Sequence, residues 1–222
     1  MKKALFIVSM AVILGFSTLT HAALVDNGNG LIYDTDLNIT WYDYTNSKDF
    51  WSNQMSWAQG LNVGGVTGWR LPSTVDGQFV FSLDGTGTGG YKNVNSEMGH
   101  LYYTELGNKA YYDVNGNFQP DFGLKNIGPF TNLLPKDYWS GTAYALINNE
   151  KWDFDFSYGY QGTSRDDIYT SYVAIAVHDG NVGNMAVPEG ESSIWFTILC
   201  LAGILGLSRT RTFRTRINNP VV

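Results

Sequence analysis

Residues 172–178, YVAIAVH, contain too few polar side chains for either face of a strand to meet water. A strand of this kind is covered on both faces and lies centrally in a sheet. A second stretch, WDFDF at residues 152–156, alternates aromatic and acidic residues. This period of two is typical of a half-buried strand, and it predicts that Asp153 and Asp155 lie on a solvent-facing side.

Residue patterns in the first half of the chain predict further elements. Two β-type runs around 31–33 and 39–42 are separated by the turn-forming residues 34–36, which indicates a hairpin. Apolar residues at spacings of three and four predict a helix over 50–61, with Asn53, Gln54 and Gln59 as its polar residues.

Composition limits the partners of this chain. Residues 23–187 carry eight Lys and Arg against eighteen Asp and Glu, a net charge of −10, which argues against nucleic acid as a partner. The single cysteine, Cys200, lies outside this segment, so the domain is expected to fold without a disulfide. Its six tryptophans, among them Trp69 and Trp139, provide ample core material.

The first 22 residues have the pattern of a secretory signal peptide. Lys2 and Lys3 precede an apolar run, and the segment ends at Ala22 with small residues suited to signal peptidase. We therefore expect signal peptidase to process the chain, and residues 23–186 to form the exported domain.

Residues 187–216 form a second targeting pattern, and 217–222 a short tail. Residues 194–207 carry no charge and would rise about 21 Å as a helix, a marginal transmembrane span against a bilayer core of roughly 30 Å. The arginines that follow are expected to stay cytoplasmic under the positive-inside rule. They are Arg209, Arg211, Arg214 and Arg216.

The sorting motif itself is Val187, Pro188 and Glu189, and with the apolar segment and the arginines it resembles the PEP-CTERM sorting signal of Gram-negative bacteria. The resemblance implies an exosortase as processing partner. It also implies transient residence in the inner membrane through the C-terminal helix, followed by transfer to the cell surface or extracellular matrix. Gly190 stands where the family usually has a second proline.

Three landmarks within the exported domain resemble the Lcl C-terminal domain family. They are the Ile-Thr-Trp element at 39–41, Gly-Trp-Arg-Leu-Pro at 68–72 and Tyr-Trp-Ser-Gly-Thr at 138–142. The resemblance implies a C-type-lectin-like α+β fold with a small twisted antiparallel sheet, one or two helices and long loops. It also implies a role in adhesion or carbohydrate binding. The negative charge here opposes the sulfated ligands that some members bind.

The sequence contains little that indicates an enzyme. His100 and His178 are the bases of the exported domain, and no Gly-x-Ser-x-Gly element accompanies them. We expect both histidines to be structural and no cofactor to be needed. Two alternatives stay open, namely a secreted hydrolase that uses Asp153 and Asp155, whose spacing suits a glycosidase pair, and a purely structural matrix component.

The candidate ligand-binding loop is the segment from Tyr158 to Asp167. Aromatic platforms beside polar groups are typical of sugar sites. The residues that carry this prediction are Tyr158, Tyr160, Arg165, Asp166 and Asp167. No metal site is predicted, although Ca²⁺ at dispersed carboxylates such as Asp166, Asp167 and Asp179 is left open.

Overall fold

The computed structural model describes residues 24–167 and 170–183, all within one compact unit that ends at Gly183. Several predicted features lie outside the described residues. They are the predicted signal peptide at 1–22, the predicted sorting motif Val187 to Glu189, the predicted transmembrane segment, the four arginines and the tail at 217–222. No helix in the described part of the chain is long and apolar enough to cross a bilayer.

The described residues form a mixed α+β fold around a nine-stranded sheet. The strands in chain order are β1 (Leu24–Asp26), β2 (Leu31–Asp34), β3 (Ile39–Asp49), β4 (Phe81–Ser82), β5 (Gly89–Tyr91), β6 (Asp137–Ala143), β7 (Glu150–Asp155), β8 (Tyr160–Arg165) and β9 (Tyr172–Asp179). Their order across the sheet is β1-β2-β3-β9-β6-β7-β8-β5-β4. The neighbours pair antiparallel except β4 with β5 and β6 with β9, which pair parallel.

The expectation of a small antiparallel sheet is therefore wrong, since the sheet is large and mixed. Short strands built on glycine, such as β5, and two-residue strands such as β4 carry little hydrophobic pattern, so the sequence underestimates the sheet. The predicted hairpin of β2 and β3 is confirmed, with Ile32 opposite Trp41.

Strand β9 lies at the centre of the sheet, as the run YVAIAVH predicts. Val173, Ile175 and Val177 pack into a core cluster on one face, whereas Ala174 and Ala176 pack into a second cluster on the other. The small alanines leave room for the rings of the second cluster. These include Trp69 and Trp139, both of which are core residues, as expected.

Two short α-helices cover the two faces. Helix α1 (Trp51–Gly60) packs on the alanine face of β9 through Ala58, and helix α2 (Glu97–His100) packs on the opposite face through Met98. Helix α2 continues into a π-helical turn, Leu101–Glu105. We call the two sides of the sheet the α1 face and the α2 face.

Gln54 departs from the sequence prediction for α1, because it is fully buried rather than on a wet face. Its amide accepts from the Asn46 side chain at 2.8 Å and donates to the carbonyls of Ser47 and Tyr172 at 2.7 and 3.0 Å. These bonds satisfy the buried amide and tie α1 to β3 and β9.

Candidate functional site

The segment from Tyr158 to Asp167 is largely a strand and not a loop, because Tyr160–Arg165 forms β8. Arg165 pairs with Asp167 (Nε to Oδ2, 3.2 Å), and Asp166 accepts from the backbone N–H of Trp51 at the start of α1 (3.0 Å). The five candidate residues therefore do not form one site. Tyr158 and Tyr160 line two different depressions, while the other three have local partners.

The first depression is a tyrosine groove, a cavity of about 320 Å³ lined by Tyr91, Tyr111, Tyr112 and Tyr158. Tyr91 comes from β5, Tyr111 and Tyr112 from the long connection before β6, and Tyr158 from the turn before β8. Tyr112 and Tyr158 are 36% and 44% exposed, which is high for such large apolar rings. The groove therefore offers aromatic surface to a ligand in solvent.

The groove is held in shape by contacts behind it. The Tyr111 backbone N–H donates to the carbonyl of Tyr158 at 2.9 Å, which joins the two loops. The Phe122 ring stacks on the Tyr158 ring with 5.7 Å between centroids and 9° between planes. Tyr111 contacts the rings of both Tyr112 and Tyr158, at 4.7 and 5.4 Å. Such packing orders the rings before a ligand arrives, which lowers the entropic cost of binding.

The second depression is an acidic pocket, a cavity of about 250 Å³ whose lining includes Asp137, Asp153 and Asp155. Asp137 on β6 lies directly opposite Asp155 on β7, and Asp153 follows two residues away on the same face. Trp139 is the cross-strand partner of Asp153 and belongs to the core cluster of the α1 face. The three carboxylates therefore lie on the α1 face of the sheet.

The prediction that Asp153 lies on a solvent-facing side of β7 is wrong, because Asp153 is only 5% exposed. The alternation places Phe154 and Phe156 in the core of the α2 face, as predicted. The other face is covered at Asp153, because the pocket is closed in by side chains that include Tyr160 and Tyr172. The alternating pattern of β7 indicates that its two faces differ in polarity. It does not indicate whether other side chains cover the polar face.

Burial sets the electrostatics of this pocket. It raises the pKa of Asp153 to about 7; a hydrogen bond from Ser164 opposes the rise, and the charges of Asp137 and Asp155 add to it. Burial also raises the pKa of Asp137 and of Asp155. Asp153 Oδ2 has no hydrogen-bond partner in the described part of the chain. The pocket thus holds a carboxylic acid that gains or loses its proton near neutral pH.

Gly162 leaves room for the acidic pocket. It lies opposite Asp153 on β8, and a Cβ there would come 2.9 Å from Tyr160 Cε1 and 3.4 Å from Asp153 Oδ1. Any larger residue would enter the space between the Tyr160 ring and the carboxylate. The pocket therefore depends on this glycine.

The two depressions are joined by a row of residues across four strands. Tyr91 pairs with Tyr160, Tyr160 with Asp155, and Asp155 with Asp137. The rings of Tyr91 and Tyr160 are in edge contact at 5.3 Å, so a wall of the groove touches a wall of the pocket. A ligand that stacks in the groove could place a polar or cationic group at the carboxylates.

Several of these residues were missed from the sequence. Tyr91, Tyr111 and Tyr112 are distant in sequence from Tyr158 and come beside it through the pairing of β5 with β8 and the backbone hydrogen bond between Tyr111 and Tyr158. Asp137 comes beside Asp155 through the pairing of β6 with β7. The sequence signal that could have indicated them is the density of aromatic residues on both sides of Asn115 and Gly116, where a bridge pairs Tyr112 with Phe118.

The carboxylates considered for Ca²⁺ are not brought together. Asp179 Oδ1 accepts from Arg70 Nη2 at 2.7 Å, while Asp166 and Asp167 contact Trp51 and Arg165. His178, expected to be structural, contacts the Trp69 ring at 5.6 Å.

Comparison with family models, curated proteins and solved structures finds no match to this chain.

Proposed function

We propose that the protein is an exported, exosortase-sorted component of the cell surface or extracellular matrix that binds a carbohydrate without enzymatic activity. The proposal includes a C-type-lectin-like fold for the exported domain and adhesion as its role. The observation that carries it is the tyrosine groove, four rings around an open cavity. Location at the cell surface or in the matrix is supported by the signal-peptide pattern at 1–22, the sorting pattern at 187–216 and the landmarks that resemble the Lcl C-terminal domain family.

Stacking explains how such a groove would bind a sugar. The C–H face of a pyranose is apolar and flat, and it gains most when it covers an exposed aromatic ring whose position is already fixed. Tyr112 and Tyr158 offer the exposed rings, and Phe122 fixes the second of them. The four phenol groups add hydrogen-bond donors and acceptors for sugar hydroxyls.

Charge narrows the ligand class to neutral or amine-bearing glycans. The acidic pocket lies beside the groove, and the exported segment carries a net charge of −10. Sulfated or carboxylated chains would be repelled at long range, whereas a protonated sugar amine would be attracted to Asp137, Asp153 and Asp155. A deacetylated amino sugar could both stack on the rings of the groove and place its ammonium group at the carboxylates of the pocket.

Processing is part of the same proposal. Signal peptidase would remove residues 1–22, and an exosortase would act near Val187, Pro188 and Glu189 while Arg209 to Arg216 hold the end of the chain in the cytoplasm. The protein would then reside in the inner membrane only until the exosortase has processed it.

The test is a glycan array probed with the purified full-length protein. Immobilised oligosaccharides would be neutral, amine-bearing or sulfated, and we expect retention on the first two classes and none on the third. Retention on sulfated chains alone would contradict the ligand class. Absence of retention on every class would contradict carbohydrate binding and favour a purely structural matrix role.

A secreted hydrolase is the second candidate, and the buried Asp153 is the observation that favours it. A carboxylic acid with a pKa of about 7 beside a second carboxylate, Asp155, has the character of a glycosidase acid and its partner. This candidate predicts release of reducing ends from a bound glycan and loss of that release in Asp153→Asn. Binding without turnover in both forms would exclude it.

A further inference from the structure

Outside the groove and the pocket, three side chains converge where the β2 to β3 hairpin meets α2. One ligand atom each from Asp34, His100 and Glu105 lies within 4.8 Å of the other two, and this is the one such trio of His, Cys, Asp or Glu in residues 24–167 and 170–183. His100 Nε2 is 3.2 Å from Glu105 Oε1 and 4.0 Å from Oδ2 of Asp36, which lies at the solvent edge. The acidic pocket does not meet this criterion.

An ion pair with His100 alone does not explain why the carboxylate of Glu105 is buried. Its side chain is 1% exposed, and its Oε2 has no hydrogen-bond partner among the described residues. Asp34 contributes a second carboxylate to the same trio, with a ligand atom within 4.8 Å of that of Glu105. Placing a buried carboxylate against a second carboxylate is costly unless a cation compensates both. A single imidazole compensates at most one of them.

The π-helical turn is what brings His100 and Glu105 together. The Leu106 N–H donates to the Leu101 carbonyl at 3.0 Å, five residues back, which widens the turn. In an α-helix, residues five apart would be rotated by roughly 140° and could not share a ligand. Single π-helical turns cost stability and recur at functional sites.

Asp34 is oriented on the other side of this cluster. Its Oδ1 accepts from the backbone N–H groups of Asp36 and Leu37 at 3.1 and 3.0 Å, and its Oδ2 accepts from Trp41 Nε1 at 3.3 Å. These bonds fix the carboxylate, in the way that outer hydrogen bonds orient metal ligands.

We propose that Asp34, His100 and Glu105 bind one divalent transition-metal ion of the zinc class. An imidazole nitrogen with two carboxylates suits zinc and its neighbours, whereas calcium and magnesium prefer oxygen ligands alone. Asp36, at the solvent edge, offers an outer ligand and an entry path. The ion would fasten the β2 to β3 hairpin to the π-helical turn, independently of any glycan.

The experiment is titration of the purified, chelator-treated full-length protein with zinc chloride by calorimetry. We expect one ion for each chain and a rise in melting temperature that EDTA reverses. His100→Gln should weaken this binding by about 100-fold or more, because a first ligand contributes at least as much as an outer one. His178→Gln is the matched control and should bind as the wild type does.

Cobalt substitution separates loss of the site from loss of the fold. Bound Co²⁺ should give a visible absorption band that His100→Gln and Glu105→Gln remove while circular dichroism stays unchanged. Equal zinc affinity in wild type and His100→Gln, or no binding by a folded wild type, would overturn the proposal.

Discussion

The tyrosine groove and the acidic pocket share one row of cross-strand residues, but they differ in what they expose to solvent and what they bury. The groove leaves large apolar rings in solvent and holds them by ring contacts from behind. The pocket removes charged groups from solvent and leaves one carboxylate oxygen without a partner. Under the proposed function, the groove would provide contact area for affinity, and the pocket would provide electrostatic discrimination between ligands.

The two regions differ in how much stability each costs the folded protein when no ligand is bound. Exposed rings cost little beyond unburied apolar area, which is tolerable at a single small patch. A desolvated carboxylate reduces the stability of the fold at any pH where it is ionised. The two regions therefore make separable predictions, and the largest effect is expected in the pocket.

The pH dependence of stability tests the burial of Asp153. Because its pKa is raised to about 7, the folded chain retains a proton that the unfolded chain releases near its ordinary value of 3.8. The free energy of unfolding should fall as the pH rises between these two values, by on the order of 2–4 kcal/mol. Denaturant unfolding at pH about 4.5 and about 7.5 measures this fall.

Asp153→Asn should remove most of this difference between the two pH values, while Asp84→Asn, at a carboxylate exposed to solvent, should leave it in place. A wild type whose stability is the same at both pH values, or an Asp153→Asn variant that keeps the full fall, would mean that Asp153 is not desolvated in solution.

Ring deletion tests the groove. Tyr112→Ala and Tyr158→Ala should each weaken the Kd for an array-positive glycan by about tenfold, close to 1.4 kcal/mol, because each removes an exposed aromatic contact. Tyr44→Ala is the matched control, since Tyr44 is 46% exposed on β3 and does not line the groove. Calorimetric titration measures the Kd of all three variants. Equal weakening by Tyr44→Ala would contradict glycan binding in the groove.

Gly162→Ala tests whether the pocket selects the ligand. The added methyl group meets Tyr160 and Asp153, so it should reduce the preference for an amine-bearing over an N-acetylated glycan by roughly threefold to tenfold. Binding of the N-acetylated glycan should change little. Competition between the two glycans reports the ratio directly, and an unchanged ratio in a folded variant would show that the pocket plays no part in selection.

Much of the fold could be predicted where one segment carries its own pattern. The central position of β9, the hairpin of β2 and β3, and helix α1 all follow from local periodicity and turn residues. The size of the sheet could not be predicted, because β4 and β5 are two and three residues long and are identified only by their partners.

The candidate sites were harder to predict, since each is assembled from distant segments. Tyr158 and Asp153 were considered from the sequence, but Tyr91 and Asp137 reach them only through strand register. The expectation that His100 is structural rests on the lack of a Gly-x-Ser-x-Gly element, and a spacing of five does not indicate that Glu105 lies beside it. Only the π-helical turn creates that pairing.

Glycan binding in the tyrosine groove is tested most directly by NMR of the full-length protein with ring-labelled tyrosines, during titration with an amine-bearing oligosaccharide. We expect the ring signals of Tyr91, Tyr111, Tyr112 and Tyr158 to shift together with one Kd, while the signal of Tyr44 stays in place. Shifts confined to tyrosines outside the groove, or saturating binding that leaves those four signals unmoved, would contradict it.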